Sequence, residues 1–261
     1  MKNKQEADFI KELLEEKVKI YNRTTFIPDD PVSIPHSFSK REDIEIAGFF
    51  SATIAWGQRP TIIRNAQQLM QIMYQDPYEF VMHAKASDLK RLNTFVHRTF
   101  NADDVKTFVL CLRNLYEKHG GMESVFQQGL DKTGNMMDAI SYFRNTFFSS
   151  RHLKRTEKHV SDPASGSSAK RINMFLRWMV RKDRNGVDFG IWNSLSPALL
   201  MCPLDVHVGN VARELGLLHR KQNDRKAVEE LTAQLRVFDP ADPVKYDFAL
   251  FSIGVNEKTQ R

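Results

Sequence analysis

Apolar residues in this chain recur at helical spacing in one segment after another, and that periodicity constrains the fold more than any single motif. Asp8 to Tyr21 reads as an amphipathic helix with Phe9, Leu13 and Ile20 inward. Pro28, Pro31 and Pro35 break the pattern. Asp43 to Trp56 then gives an almost wholly apolar helix (Ile44, Ile46, Ala47, Phe49, Phe50, Ile54), as a buried central element would. Gly57 stops it, and Pro60 suits the first turn of a helix carrying Ile62, Ile63, Ala66, Leu69, Met70 and Met73. Asp76-Pro77 opens a short helix to Ala84. Asp103 or Asp104 caps a helix bearing Val105, Phe108, Val109, Leu112 and Leu115, which Gly120-Gly121 end. Helical patterns return at 136–148, 170–180, 226–238 and 244–253. No alternating pattern lasts beyond a few residues, and there is no repeat or low-complexity tract. The expected class is all-α.

Of the 261 residues, 41% are hydrophobic and 27% charged, enough to bury a core, and no apolar run reaches membrane length. Met1 to Asn22 mixes Lys and Glu without an apolar core, unlike a secretory signal. Cys111 and Cys202 lie in apolar surroundings without metal-ligand spacing, which reads as reduced core cysteines of a cytoplasmic protein. The net charge is +6, unevenly spread. From Arg144 to Arg184 eleven Lys/Arg face only Glu157, Asp162 and Asp183, a surplus of eight, so the remainder is two negative. Such a zone is either a phosphate-binding surface or a solvated basic loop.

The stretch Pro203-Leu204-Asp205-Val206-His207 opens a helix with both ends written out. Asp205 is a natural N-cap; Val208, Val211, Ala212 and Leu215 form one apolar face; Gly216 ends it. On spacing alone Asp205 is a structural cap. The wording, running on to Arg213-Glu214-Leu215-Gly216, resembles the catalytic segment of the helix-hairpin-helix DNA glycosylases, the superfamily of endonuclease III and the 8-oxoguanine glycosylases. Ile46 to Thr53 resembles the helix before that superfamily's DNA-wedging turn. Thr107 to Gly121 resembles the helix preceding its hairpin, and Asp247-Phe248-Ala249-Leu250-Phe251-Ser252-Ile253-Gly254 the helix that closes its base pocket. The likeness runs from about residue 43 to 254.

The resemblance implies a two-lobed helical bundle: residues 43–200 with a hairpin-like element near 163–181, and 1–42 with 201–261 completing a cleft at Asp205. It implies a bacterial branch without the iron–sulfur cluster, since four cysteines are lacking, and no other cofactor or metal. The implied activity is excision of a damaged base, oxidised bases included, with Lys-dependent AP lyase chemistry. The implied partner is double-stranded DNA containing the damaged base, bound by a monomer with no membrane involvement. Asp205 would be the catalytic carboxylate, and Lys170, 35 residues upstream, the amine nucleophile. The alternative for Lys170 is a phosphate contact. Gly166, Ser167, Ser168 and Arg171 would bind a phosphate at the helix start, although the family usually places an apolar residue between two glycines there. Gln58 and Arg59 would enter the emptied stack, Arg151, Lys154 and Arg155 would hold phosphates, and Phe248 and Phe251 would line the base pocket unless they are simply core. His207 is expected to be structural. Two rivals stay open: a non-catalytic nucleic-acid-binding protein retaining the fold, and a helical protein-interaction domain in which Asp205 only caps.

Overall fold

The computed structural model describes residues 4–257. Helix accounts for 69% of it and strand for 2%, so the class is all-α. In chain order the first elements are α1 (Lys4–Tyr21), α2 (Arg41–Thr53), α3 (Arg59–Ile72), α4 (Pro77–His83) and α5 (Ala86–Arg91). A two-stranded antiparallel hairpin follows, β1 (Val96–His97) and β2 (Phe100–Asn101). Then come α6 (Ala102–His119), α7 (Gly121–Thr133), α8 (Met136–Phe147), α9 (Lys170–Val180), α10 (Val206–Glu214), α11 (Arg225–Phe238) and α12 (Tyr246–Ser252). Among the described residues no helix is long and apolar enough to cross a membrane.

The chain divides into two compact units, Ile27–Ser161 and a second made of Met1–Phe26 with Asp162–Arg261. These boundaries differ from the 42/43 and 200/201 divisions read from the sequence. Residues 27–42 pack with the central unit, where the short 3-10 turns Pro31–Ser33 and Pro35–Ser37 lie against α2. Residues 162–200 pack with the terminal unit.

In the central unit, α2 is buried from Asp43 through Thr53, as its apolar run requires. Phe49 is the hub of an aromatic core, with Phe108, Phe143 and Phe147 rings 5.6, 5.8 and 5.5 Å away. Phe126 of α7 stacks on Phe143 of α8 at 4.1 Å. Helix α7 lies where the sequence suggested a stop: Gly120 (φ +74) and Gly121 (φ +89) make the break, and the next helix starts at Gly121 itself. The cap of α6 is Asn101, two residues before Asp103, the earlier of the two expected caps. Asn101 Oδ1 accepts from Asp103 and Asp104 N–H groups, while the Asp104 carboxylate accepts from Asn101 N at 3.0 Å, a reciprocal capping box.

In the terminal unit, α1 turns Ile10, Leu14 and Val18 inward. Phe9 and Ile20, expected inside, are 66% and 44% exposed. Two apolar stripes lie one residue, or about 100°, apart on this helix, and the aliphatic one with strict i, i+4 spacing takes the core. Helix α1 packs on α12, where Tyr246 Oη donates to Glu15 at 2.6 Å. Gly254, just past α12, meets α10 so closely that an added Cβ would lie 3.1 Å from the His207 carbonyl oxygen.

Candidate active site

Asp205 stands in extended backbone (φ −119, ψ −169) at the head of α10, and its Oδ1 accepts from Val208 N at 3.0 Å. Val208, Val211 and Ala212 are buried behind it, whereas Leu215 is only half-buried because the helix ends at Glu214. The positive end of the helix dipole favours a carboxylate here. A second set of contacts fixes the backbone. Asn223 Nδ2 donates to the Asp205 carbonyl at 3.1 Å, and Arg213 holds Asn223 Oδ1 at 2.5 Å while also donating to the Arg220 and Lys221 carbonyls. Gly209 makes room, since a Cβ there would come within 2.7 Å of Asn223 Oδ1. Arg213 lies in the stretch that carries the resemblance, but nothing there gave it a role or pointed to Asn223, because the contacts that join them to the Asp205 backbone are made only by the fold.

Lys170 is the first residue of α9. Ala169 before it is left-handed (φ +47), a conformation that costs a non-glycine residue roughly 1–2 kcal/mol. Neighbouring bonds hold it there: Ala169 N donates to Ser167 Oγ at 3.1 Å, and Asn173 Nδ2 donates to the Ser168 carbonyl at 3.0 Å. Arg225 N donates to the Gly166 carbonyl at 3.0 Å and Ser167 bridges Asp224, so this segment is tied to the start of α11. Ser168 Oγ in turn donates to the Leu204 carbonyl at 3.4 Å, joining the start of α9 to the residue before Asp205. The outcome is an ion pair: Lys170 Nζ lies 3.7 Å from Asp205 Oδ2, with the two side chains 25% and 26% exposed. One carboxylate oxygen caps α10 while the other faces the amine. Capping and pairing therefore coexist.

Behind the pair, Arg177 of α9 and Arg181 just past its end are buried cations. Arg177 contacts Asp247 of α12 and reaches Asp188 at 3.3 Å. Arg181 binds Asp188, Asp242 and Asp183 at 3.0, 2.9 and 2.5 Å. Four carboxylates thus share two guanidinium groups. Burial alone would lower the Arg181 pKa, but these carboxylates overcome it and raise it. Asp247 goes the other way. Burial, with Asp205 and Asp188 adding repulsion, pushes its pKa up to about 6 in spite of Arg177 and Lys170. Cys202 is fully buried nearby, and burial holds its thiol well above the ordinary range. Among the described residues no cluster of three or more His, Cys, Asp or Glu could hold a metal ion.

A family model spans residues 30–256 of this chain. The chain belongs to that family, described as Protein of unknown function (DUF2400). No curated protein and no solved structure matches it.

Of the residues singled out in this DUF2400 chain by sequence, the structure brings together Lys170, Asp205 and the Gly166–Ser168 segment. No second glycine flanks that segment; a 3-10 turn (Pro163–Ser165), left-handed Gly166 (φ +88) and left-handed Ala169 lead into α9 instead. Arg171 is half-buried, and burial pulls its pKa down. Phe248 is 1% exposed, with Arg177 4.1 Å over its ring and Phe26 at its edge, so it is core and has no open face for a base. Phe251 is half-buried. Gln58, exposed, and Arg59, half-buried, lie at the α3 start in the central unit, as do Arg151, Lys154 and Arg155 further along.

The basic zone spans the unit boundary at 161/162, and much of its charge is matched by carboxylates within each unit. Arg144 and Lys154 pair with Glu157, Arg155 with Asp104, and Lys170, Arg177 and Arg181 with the carboxylates above. Hydrogen bonds from His152, Lys154 and Arg144 hold the Glu157 carboxyl down at about 2. A count of charges along the sequence could not anticipate pairing partners from elsewhere in the chain.

Proposed function

We propose that this protein is a DNA base-excision glycosylase of the helix-hairpin-helix type, with Lys170 as nucleophile and Asp205 as its proton acceptor. One observation carries the reading: the two residues the resemblance singled out, 35 positions apart in sequence, form an ion pair at 3.7 Å between two helix starts.

Proton transfer from the Lys170 ammonium to Asp205 gives a neutral amine. Its lone pair attacks C1′ of the damaged nucleotide, and the electrons of the C1′–N bond leave with the base, which takes up a proton. The carboxylate, freed of its proton, offsets the positive charge that develops at the sugar. Opening of the sugar ring then yields a Schiff base at C1′, from which β-elimination breaks the 3′ C–O bond. The reading is supported by the helix dipole at α10 and the Asn223 bond, which fix Asp205 before any reaction and so reduce the reorganisation the step would need.

Borohydride trapping tests the assignment. Wild-type protein on a duplex bearing a cognate lesion or abasic site gives a protein–DNA adduct that survives denaturation. Lys170→Gln binds the duplex and gives none, because an amide forms no imine. Asp205→Asn folds normally, since Asn caps as well as Asp, but excises nothing. Excision at the wild-type rate by Asp205→Asn would reduce Asp205 to a cap and refute the mechanism. DNA binding without excision on any lesion would favour the non-catalytic alternative.

A further inference from the structure

The hairpin between α5 and α6 drew no functional expectation from its sequence, yet it joins two stretches that did. On one side it braces the turn between α2 and α3. His97, buried at the end of β1, accepts from Asn65 Nδ2 at Nδ1 (3.0 Å), which leaves Nε2–H to donate to the Trp56 carbonyl at 3.2 Å. Arg98, at the exposed tip, lays its guanidinium over the Trp56 indole, 4.6 Å from the ring centroid. Its backbone is left-handed (φ +55). Gly57 makes the stack possible twice over: its φ of +113 suits glycine alone, and a Cβ there would lie 2.9 Å from Arg98 Nη1. On the other side, Arg155 of the basic loop donates to the Thr99 carbonyl at 3.2 Å and to Asn101 Oδ1 at 3.1 Å.

The turn at 56–59, the hairpin tip and the loop at 151–155 therefore form one continuous surface of the central unit. Arg155 has its charge matched by Asp104, at 3.2 Å. Arg98 and the exposed Arg151 have no carboxylate partner among the described residues, and Gln58 is exposed beside the braced turn. A guanidinium held over an indole loses side-chain freedom while N–H groups turned from the ring stay open to an acceptor. Planar, diffuse and always charged, it matches phosphate oxygens better than a lysine would.

We infer that Arg98, held on Trp56, contacts the sugar–phosphate backbone of duplex DNA, making the β1–β2 hairpin the centre of a DNA-binding surface. The inference rests on the DNA-directed reading above, but concerns affinity and not excision.

The test uses the full chain, an undamaged labelled duplex and fluorescence anisotropy across a salt series. Arg98→Gly suits the left-handed position better than arginine, so the fold is kept. It is expected to weaken binding about tenfold at moderate salt and to flatten the log K against log salt slope by about 0.9, the loss of one phosphate contact. Arg98→Lys keeps the slope but recovers only part of the affinity. Trp178 and Trp192 are 0% and 1% exposed and Trp56 half-buried, so duplex should change the tryptophan emission of wild type and not of Trp56→Phe. Equal affinity and slope for wild type and Arg98→Gly would overturn the inference and leave the Lys170–Asp205 reading standing. Absence of wild-type binding even at low salt would overturn both.

Discussion

Replacing Arg177 by Met would remove one of two cations from a set of four carboxylates, Asp188 and Asp247 buried and Asp183 and Asp242 half-buried, and the structure says which one is left exposed to the consequence. Asp188 keeps Arg181 at 3.0 Å, so the orphan is Asp247, whose side chain is 8% exposed against 5% for Arg177. Removing one partner of a buried pair costs about 3–5 kcal/mol. Loss of the guanidinium from the Phe248 ring, 4.1 Å away, adds about 1–2 kcal/mol before the methionine fills part of the space. Protonation caps the penalty, because Asp247 already titrates near 6 and without Arg177 must titrate higher. The expected loss is therefore about 3–5 kcal/mol at pH 7.5, falling by about 1–2 kcal/mol at pH 5, where the orphan is neutral at little cost. Urea unfolding of wild type and variant at both pH values measures this. A second variant, Arg177→Met with Asp247→Asn, should regain much of the loss at pH 7.5, since no buried charge then lacks a partner. A loss below about 1 kcal/mol, the same at both pH values, would refute the claim that this pair balances a buried charge.

Two further outcomes follow from the same region. Burial raises Asp247 from 3.8 to about 6, so between those values the folded chain holds a proton that the unfolded chain has released. Stability from this group is full below pH 4 and lost as pH rises through 6, about 3 kcal/mol in all; Asp247→Asn should lack this slope, and parallel urea midpoints for the two proteins across pH 4–7.5 would contradict it. Asn223→Ala removes the donor to the Asp205 carbonyl and should cost about 1 kcal/mol of stability. It should slow adduct formation about tenfold at unchanged duplex affinity, and unchanged trapping would show that Asp205 needs no such support.

What the sequence disclosed, and what it hid, divides by the range of the interaction. Helix α9 begins at Lys170 and ends at Val180 as its apolar spacing indicated, and Asp205 caps α10 because capping depends on residues three positions apart. Interactions of that kind are written locally. The stripe on α1 was misplaced because two apolar rows compete there, and only the partner helix α12 decides between them. Phe248 looked like a pocket aromatic because its spacing with Phe251 is shared by core and pocket residues. Its role as core follows from Arg177, 71 positions earlier, lying over the ring.

Charge was the least legible property of all. Between Arg144 and Arg184 the sequence shows eleven cations and three acids, but Asp104, Asp188, Asp205, Asp242 and Asp247 come from outside that stretch or from its far side to meet them. A basic segment signals phosphate binding only through cations that the fold leaves unmatched. By that criterion the case for DNA shifts from Lys154 and Arg155, which have carboxylate partners, toward Arg98, which sits in a two-residue turn with no lysine or other arginine within six positions. Isolated arginines at strained tips are therefore better witnesses to an anionic partner in this chain than its basic run. The ordering of variants tests that ranking: Arg98→Gly should weaken duplex binding more than Lys154→Gln does, although the second lies in the more basic segment.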